Sequence, residues 1–313
     1  MTSDKISRGI FLAFAAFAAY AFSDASVKLV EGRVSPFESA FFGSLFGLMA
    51  LPFLLKKGDR LTDIVKTSSP RLWFLRFVAS GTSAIGAVTA FTHLSMAEAF
   101  CLIFLLPSFV TIMSVVFLKE KVGIRRWSAV VLGFVGVLIV LRPGFRELSI
   151  GHVGAIIGGL GGAVSIVTYR ALGTREKSVS LYGAGALGTI TISGVCMLQS
   201  FAWPQGMDWL LLLSYGLLAA LATVLMMLAT KSAPAAVLGP TQYSQMLWAI
   251  LLGYLVFGDH VDLPIVLGSL LIIVSGLITL SREKTRGVKL PPAVVSGPQA
   301  NLSTKEENED ESH

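Results

Sequence analysis

The run Gly239-Pro240-Thr241-Gln242-Tyr243-Ser244-Gln245, followed by Trp248, sets five consecutive residues with polar side-chain groups inside an otherwise apolar stretch. Such groups are costly in hydrocarbon unless they face protein or a cavity. The amides can both donate and accept hydrogen bonds, and the aromatic rings offer flat faces for stacking. On an α-helix Thr241, Gln245 and Trp248 fall at i, i+4 and i+7, forming one stripe. The other use of Gln242 and Gln245 would be as polar glue between helices. Pro240 lacks a backbone N–H and would free the carbonyl of Ala236; Pro107 would do the same for Ile103. A plain kink is the alternative. Phe104, Ser108, Thr111 and Val115 follow the face of Pro107 and would line the same region.

A second group of residues lies near the start of the chain. Tyr20, Asp24 and Lys28 stand at i, i+4 and i+8. An aspartate within an apolar run is a candidate for proton coupling or for holding a cationic substrate. A local ion pair with Lys28 is the alternative. Ser165, Thr168 and Tyr169 occupy the corresponding stretch of the second half, where no acid matches Asp24. Arg76 is expected to snorkel to an interface, and His93 and Glu98 to mark span ends. Gly154, Gly158 and Gly162 recur every four residues, as close helix packing requires; no lysine follows with phosphate-loop spacing. His93, His152, His260 and His313 are dispersed, and Cys101 and Cys196 lack ligating neighbours. The sequence therefore assembles no metal site, cofactor site or nucleophile–base set.

The elements that must position these residues are membrane spans. Hydrophobic residues make up 54% of the chain and charged residues 14%, and the mean hydropathy is +0.73. A soluble domain carries about 25% charged residues, so lipid must solvate much of this surface. Runs long enough to cross hydrocarbon, about 20 apolar residues each, lie near 9–30, 37–55, 72–92, 97–118, 127–142, 151–172, 180–201, 208–230, 235–257 and 262–281. The break at 231–234 is short, so one span fewer is an alternative count. Lys5, Arg8 and the following apolar run also fit a cleaved signal peptide, but the run continues to about Val30 and has a partner in the second half.

With the N-terminus inside, the inner segments hold 19 lysines and arginines and the outer segments 4. The positive-inside rule then places both termini in the cytoplasm. The net charge of +6 is a topology signal, which speaks against nucleic acid as a partner. Residues 1–8 form a cytoplasmic N-terminus. Residues 282–313, polar and ending in an acidic run, are expected to be a disordered cytoplasmic tail.

A weak internal repeat relates residues 9–144 to residues 151–281. A shift of 142 positions sets Ser23 on Ser165 and Lys28 on Arg170; a shift of 139 sets Ala97 on Ala236 and Glu120 on Asp259. Five spans per half force the halves to enter the membrane from opposite sides, a recurring plan of secondary transporters with a midplane site. The runs Phe117-Leu118-Lys119-Glu120, Leu141-Arg142-Pro143-Gly144 and Phe257-Gly258-Asp259 resemble the EamA-type transporters of the drug/metabolite transporter superfamily. That resemblance implies an all-α membrane protein of ten transmembrane helices, two inverted five-helix repeats around a central cavity, alternating access and no ATP hydrolysis. Many relatives carry an arginine where this chain has Gly43, which argues against a strongly anionic substrate.

Within the superfamily, Tyr20 to Lys28 followed by Pro36-Phe37-Glu38 is similar to a proteobacterial riboflavin transporter subgroup. The expectation is a secondary transporter of a small organic metabolite in a bacterial inner membrane, with riboflavin uptake as the first reading. Export of amino acids or drugs, and exchange of a cationic metabolite such as S-adenosylmethionine, are the alternatives within transport. A non-transporting receptor is the alternative from another class.

Overall fold

The computed structural model describes residues 3–55, 59–119, 123–141, 148–172, 176–199, 201–233, 238–259 and 262–285. All regular elements among them are helical. They are α1 (Ser3–Lys28), α2 (Pro36–Gly47), a 3-10 turn and α3 (Leu51–Leu54), a second 3-10 turn (Leu61–Ile64), α4 (Pro70–His93), α5 (Met96–Ile103), α6 (Leu106–Leu118) and α7 (Ile124–Leu141). The second half contributes α8 (Ile150–Leu172), α9 (Ser178–Met197), α10 (Met207–Ser232), a 3-10 turn (Gly239–Tyr243) leading into α11 (Ser244–Phe257), and α12 (Leu263–Thr285). Seven segments are long and apolar enough to cross a membrane, with α5 and α6 together forming one of them. The shorter apolar helices α7 and α12, and the 3-10 turn with α11, bring the total to ten. The chain is an all-α, multi-pass membrane protein. The residues 120, 122, 142–144, 170's side chain, 236 and 286–313, on which parts of the repeat, the motifs and the tail were read, lie outside what is described.

Local chemistry sets the helix ends. Ser35 begins α2 with a reciprocal box: its Oγ accepts from Glu38 N at 3.2 Å, while Glu38 Oε2 accepts from Ser35 N at 2.8 Å. These bonds satisfy backbone donors that have no partner inside the helix. Ser95 caps α5 by accepting from Glu98 N at 3.3 Å. Asp259 Oδ2 accepts from Met96 N at 2.9 Å, so the end of α11 is tied to the start of α5.

Small residues allow the halves to interlock. A Cβ on Gly86 would meet Gly154 O at 2.5 Å, and one on Gly154 would meet Gly86 O at 2.9 Å, so α4 and α8 touch backbone to backbone. Such close approach is the usual use of small residues between membrane helices. Pairings recur with the halves exchanged: α4 lies on α8 as α1 lies on α10, α4 packs on α9 as α10 packs on α2, and α7 packs on α12. Gly43 also has a packing task, since a Cβ there would sit 2.2 Å from the Tyr215 ring. An arginine at this position would need Tyr215 to move.

Polar links between the halves cluster at the helix ends. At one end Arg33 Nε donates to Asp208 Oδ1 at 2.7 Å, and His152 Nε2 lies 3.1 Å from Glu98 Oε1. At the other, Lys177 Nζ donates to Asp63 Oδ2 at 2.6 Å, and Glu176 Oε1 accepts from Thr67, Ser68 and Ser69 at the start of α4. Hydrogen bonds from Lys177 and Lys66 hold the Asp63 carboxyl well below the usual carboxylate range. Arg76 departs from expectation. It is 3% exposed and donates to Leu181 O, Ser165 O and Ser165 Oγ at 2.7–2.9 Å, with its guanidinium 5.2 Å from the Tyr169 ring centre. Carbonyls within reach on α8 and α9 replace the water that snorkelling would seek.

Candidate functional site

The two proline-bearing spans are interrupted at matching places. The helix α5 stops at Ile103, Phe104 and Leu105 form a turn, and α6 begins with Pro107 at its second position. In the other span the 3-10 turn ends at Tyr243, where α11 begins. Proline is tolerated in a first helical turn because its missing N–H would have no intrahelical partner there. The 139-residue shift that relates these spans pairs Phe104 with Tyr243, Ile103 with Gln242 and Leu106 with Gln245. Phe104 and Tyr243 stack on each other, with centroids 5.6 Å apart and planes inclined by 28°. The two breaks thus face one another across the molecule.

A pocket lies between them, lined by Phe100, Ile103, Phe104, Leu106, Pro107, Gln242 and Gln245, with a volume of about 10 Å³. That is room for about one water molecule. One wall, from α5 and α6, is apolar. The other carries the two amides. A 3-10 helix has three residues per turn, and this tighter winding sets Gln242 and Gln245 toward the same space.

Asp24 supports the polar wall from behind. It is 3% exposed, and its Oδ2 accepts from Gln245 Nε2 at 3.2 Å. Lys28 is engaged elsewhere: its Nζ donates to Leu94 O at 2.5 Å and lies 5.2 Å from the Phe257 ring centre. The Asp24–Gln245 bond joins residues 221 positions apart, and no local spacing could have announced it. Ser23 Oγ donates to Tyr215 O at 2.7 Å, fixing the same turn of α1 on α10.

The other residues singled out in the sequence take different positions. Tyr20 exchanges a 2.9 Å hydrogen bond with Thr223 on α10. Ser108 sits opposite Gly133 of α7, where an added Cβ would come within 2.9 Å of its Oγ. Thr111 donates to Pro107 O at 3.0 Å, and Thr241 to Leu238 O at 2.6 Å, each within its own helical segment. Tyr169 packs with Leu172 and Leu181 beneath Arg76. Trp248 lies against Phe22 with centroids 5.8 Å apart. Of the stripe Thr241–Gln245–Trp248, Gln245 lines the pocket, whereas Thr241 bonds back to Leu238 and Trp248 lies one turn further along α11 against Phe22. Phe104, Pro107 and Gln242 line the pocket with Gln245. Phe100, Ile103 and Leu106 join them; their apolar side chains gave no signal that separates pocket from core. Among the described residues no group of three or more histidine, cysteine, aspartate or glutamate side chains could hold a metal ion.

The EamA-like transporter family matches residues 7–142. Over these residues the chain carries an EamA-like transporter domain. It is a small-molecule transporter. The chain is 24% identical over 263 residues to an S-adenosylmethionine uptake transporter of Rickettsia felis, covering 84% of this chain and 88% of the relative. It is 28% identical over 240 residues to a riboflavin transporter of Rhizobium johnstonii, covering 76% of this chain and 78% of the relative. A solved crystal structure superposes with a TM-score of 0.60 at 17% identity, over 93% of this chain and all 100% of that one, a likeness of fold alone.

Proposed function

We propose that this protein is a secondary transporter that takes up a flat, hydrogen-bonding metabolite, riboflavin in the first instance, across a bacterial inner membrane. The observation that carries this reading is the pocket between the broken spans, with an aromatic pair beside two amides. Rings such as Phe104 and Tyr243 suit a planar heterocycle, and amides suit its ring carbonyls and N–H edge. The relative from Rhizobium supports the same substrate.

Sites for drug-sized ligands are typically about 300–1,000 Å³, so a pocket of about 10 Å³ must widen to admit one. The widening is assigned to rocking of residues 9–144 against residues 151–281, two inverted repeats with the N-terminus and C-terminus cytoplasmic. The exchanged helix pairings and the stacked Phe104–Tyr243 pair support that arrangement. S-adenosylmethionine is the second reading. The buried Asp24 carboxylate behind Gln245 would favour a cation, and the Rickettsia relative bears that name.

Expression in a riboflavin-auxotrophic bacterium lacking its own uptake system should restore growth at low external riboflavin. Labelled riboflavin should accumulate, and excess S-adenosylmethionine should leave that accumulation intact. Failure to restore growth, with the protein present in the membrane, would remove riboflavin. Accumulation of labelled S-adenosylmethionine instead would establish the second reading.

A further inference from the structure

We propose that Asp24 is a proton-binding site that controls ligand binding through the side-chain amide of Gln245. The proposal rests on the pocket reading above, since Gln245 is the residue through which the proton would act. Three observations join to support it. Asp24 is buried in the transmembrane helix α1. Its oxygen receives the Gln245 N–H at 3.2 Å. Gln245, 1% exposed, lines the pocket itself.

A carboxylate only accepts hydrogen bonds, so the ionised form holds the amide with its NH2 toward Asp24. A protonated carboxyl donates. It would then pair with Gln245 Oε1, and the amide would turn its NH2 the other way. The proton comes from the aqueous phase to which the pocket opens and binds at Oδ2; no other bond is made or broken. A neutral ligand rich in carbonyl groups needs donors. Protonation therefore releases an N–H for the ligand and also removes a charge that is costly inside a membrane. Proton and ligand bind cooperatively, and linkage makes the effect reciprocal. Co-uptake of ligand with a proton follows.

Other titratable groups surround Asp24. Tyr20 lies one turn earlier on α1, bonded to Thr223, and Tyr215 on α10 accepts at its carbonyl from Ser23, the neighbour of Asp24. Lys28 follows one turn later on α1, tied to Leu94 O. On the α11 side Tyr243 precedes Gln245 by two residues, and His93 ends α4 beside Leu94, bonded to Thr89 O and Thr92 Oγ1. Tyr20→Phe, Tyr215→Phe, Lys28→Gln and His93→Gln serve as controls and should keep the pH response.

The test uses the full-length protein in lipid nanodiscs with riboflavin as the probe. Affinity should tighten by roughly 2- to 13-fold as pH falls, the range for gaining one hydrogen bond. Asp24→Asn should abolish that pH dependence. Gln245→Leu should weaken binding and also flatten the response. A ligand-free readout comes from the five glutamines: in protein labelled with 15N-glutamine, the side-chain amide signal missing from Gln245→Leu should shift with pH in the parent protein and stay fixed in Asp24→Asn.

A pH response that survives in Asp24→Asn, or binding that weakens as pH falls, would overturn the proposal. So would a Gln245 amide signal indifferent to pH, a result that stands even where Asp24→Asn fails to fold. Unchanged riboflavin affinity in Gln245→Leu would instead overturn the pocket reading, whereas weakened binding with the Asp24→Asn slope intact would sink the proton relay alone.

Discussion

The two broken spans share a plan but not a chemistry. The α5–α6 span places Ile103, Phe104 and Leu106 at the pocket, and the 3-10–α11 span places Gln242 and Gln245 there, with Tyr243 stacked on Phe104. The 139-residue shift makes these positions partners: apolar against amide, apolar against amide, ring against ring. The shared break is a backbone matter, set by a proline near each interruption. Side chains at the pocket also pack outward, Leu106 against Gly162 and Tyr243 against Gly276. The proposed repeat would thus carry a one-sided pocket, with Asp24 bonded to Gln245 behind the polar wall.

The strongest way to break the comparison is at the ring pair. A Cβ on Gly276 would lie 1.5 Å from Tyr243 Oη and 2.6 Å from its Cζ. Gly276→Ala must push the ring off Phe104, and overpacking of this kind costs about 1–3 kcal/mol. That corresponds to roughly 5- to 160-fold in whichever equilibrium bears the strain. Uptake per membrane-inserted molecule should fall within that range. Adding Tyr243→Phe removes the shortest contact and should recover part of the loss. Wild-type uptake in Gly276→Ala would show that the stacked geometry is not needed.

Much of this arrangement could be read in the sequence, and the failures have physical causes. The spans, the two prolines and the polar run 241–245 follow from hydropathy and residue type, and the breaks lie where those residues put them. Depth was lost at Trp248: periodicity placed it on the face of Gln245, but it stands one turn further along α11, where it meets Phe22 and not the pocket. Partner choice was lost at Asp24. Local spacing offers Lys28, but tertiary packing supplies Gln245. Gly43, read from the sequence as a missing charge, is in the fold the berth of the Tyr215 ring.

Making the walls alike sharpens the comparison. Gln245→Leu copies Leu106 onto the polar side. It should raise the half-saturating riboflavin concentration by about 2- to 13-fold, the range for one lost hydrogen bond. Leu106→Gln makes the reverse change, and its effect should fall on stability instead. Leu106 is 5% exposed and packs toward Gly162, so a polar group there without a partner costs about 1–3 kcal/mol. Thermal unfolding in detergent, set beside uptake kinetics, separates the two outcomes. Equal loss of affinity in both variants would mean that both walls bind ligand through hydrogen bonds.

The smallest effect is expected from Tyr243→Phe alone. It keeps the ring, and with it the contact to Phe104 at 5.6 Å. Offset aromatic contact is worth about 0.5–1.5 kcal/mol beyond area burial, and none of that is removed. The hydroxyl instead faces the notch at Gly276, on the side of the ring packed against α12. Its loss should therefore change half-saturation by less than about two-fold, below the effect of one lost hydrogen bond. Phe104→Leu, which removes a ring but no polar atom, should weaken affinity by roughly 2- to 13-fold. The order of these two variants is the informative quantity. If Tyr243→Phe proved the more harmful, the tyrosine would recognise ligand through its hydroxyl, and the ring pair would divide into one stacking and one hydrogen-bonding position. If Phe104→Leu is worse, stacking is common to both halves and the asymmetry of the site lies in its amides.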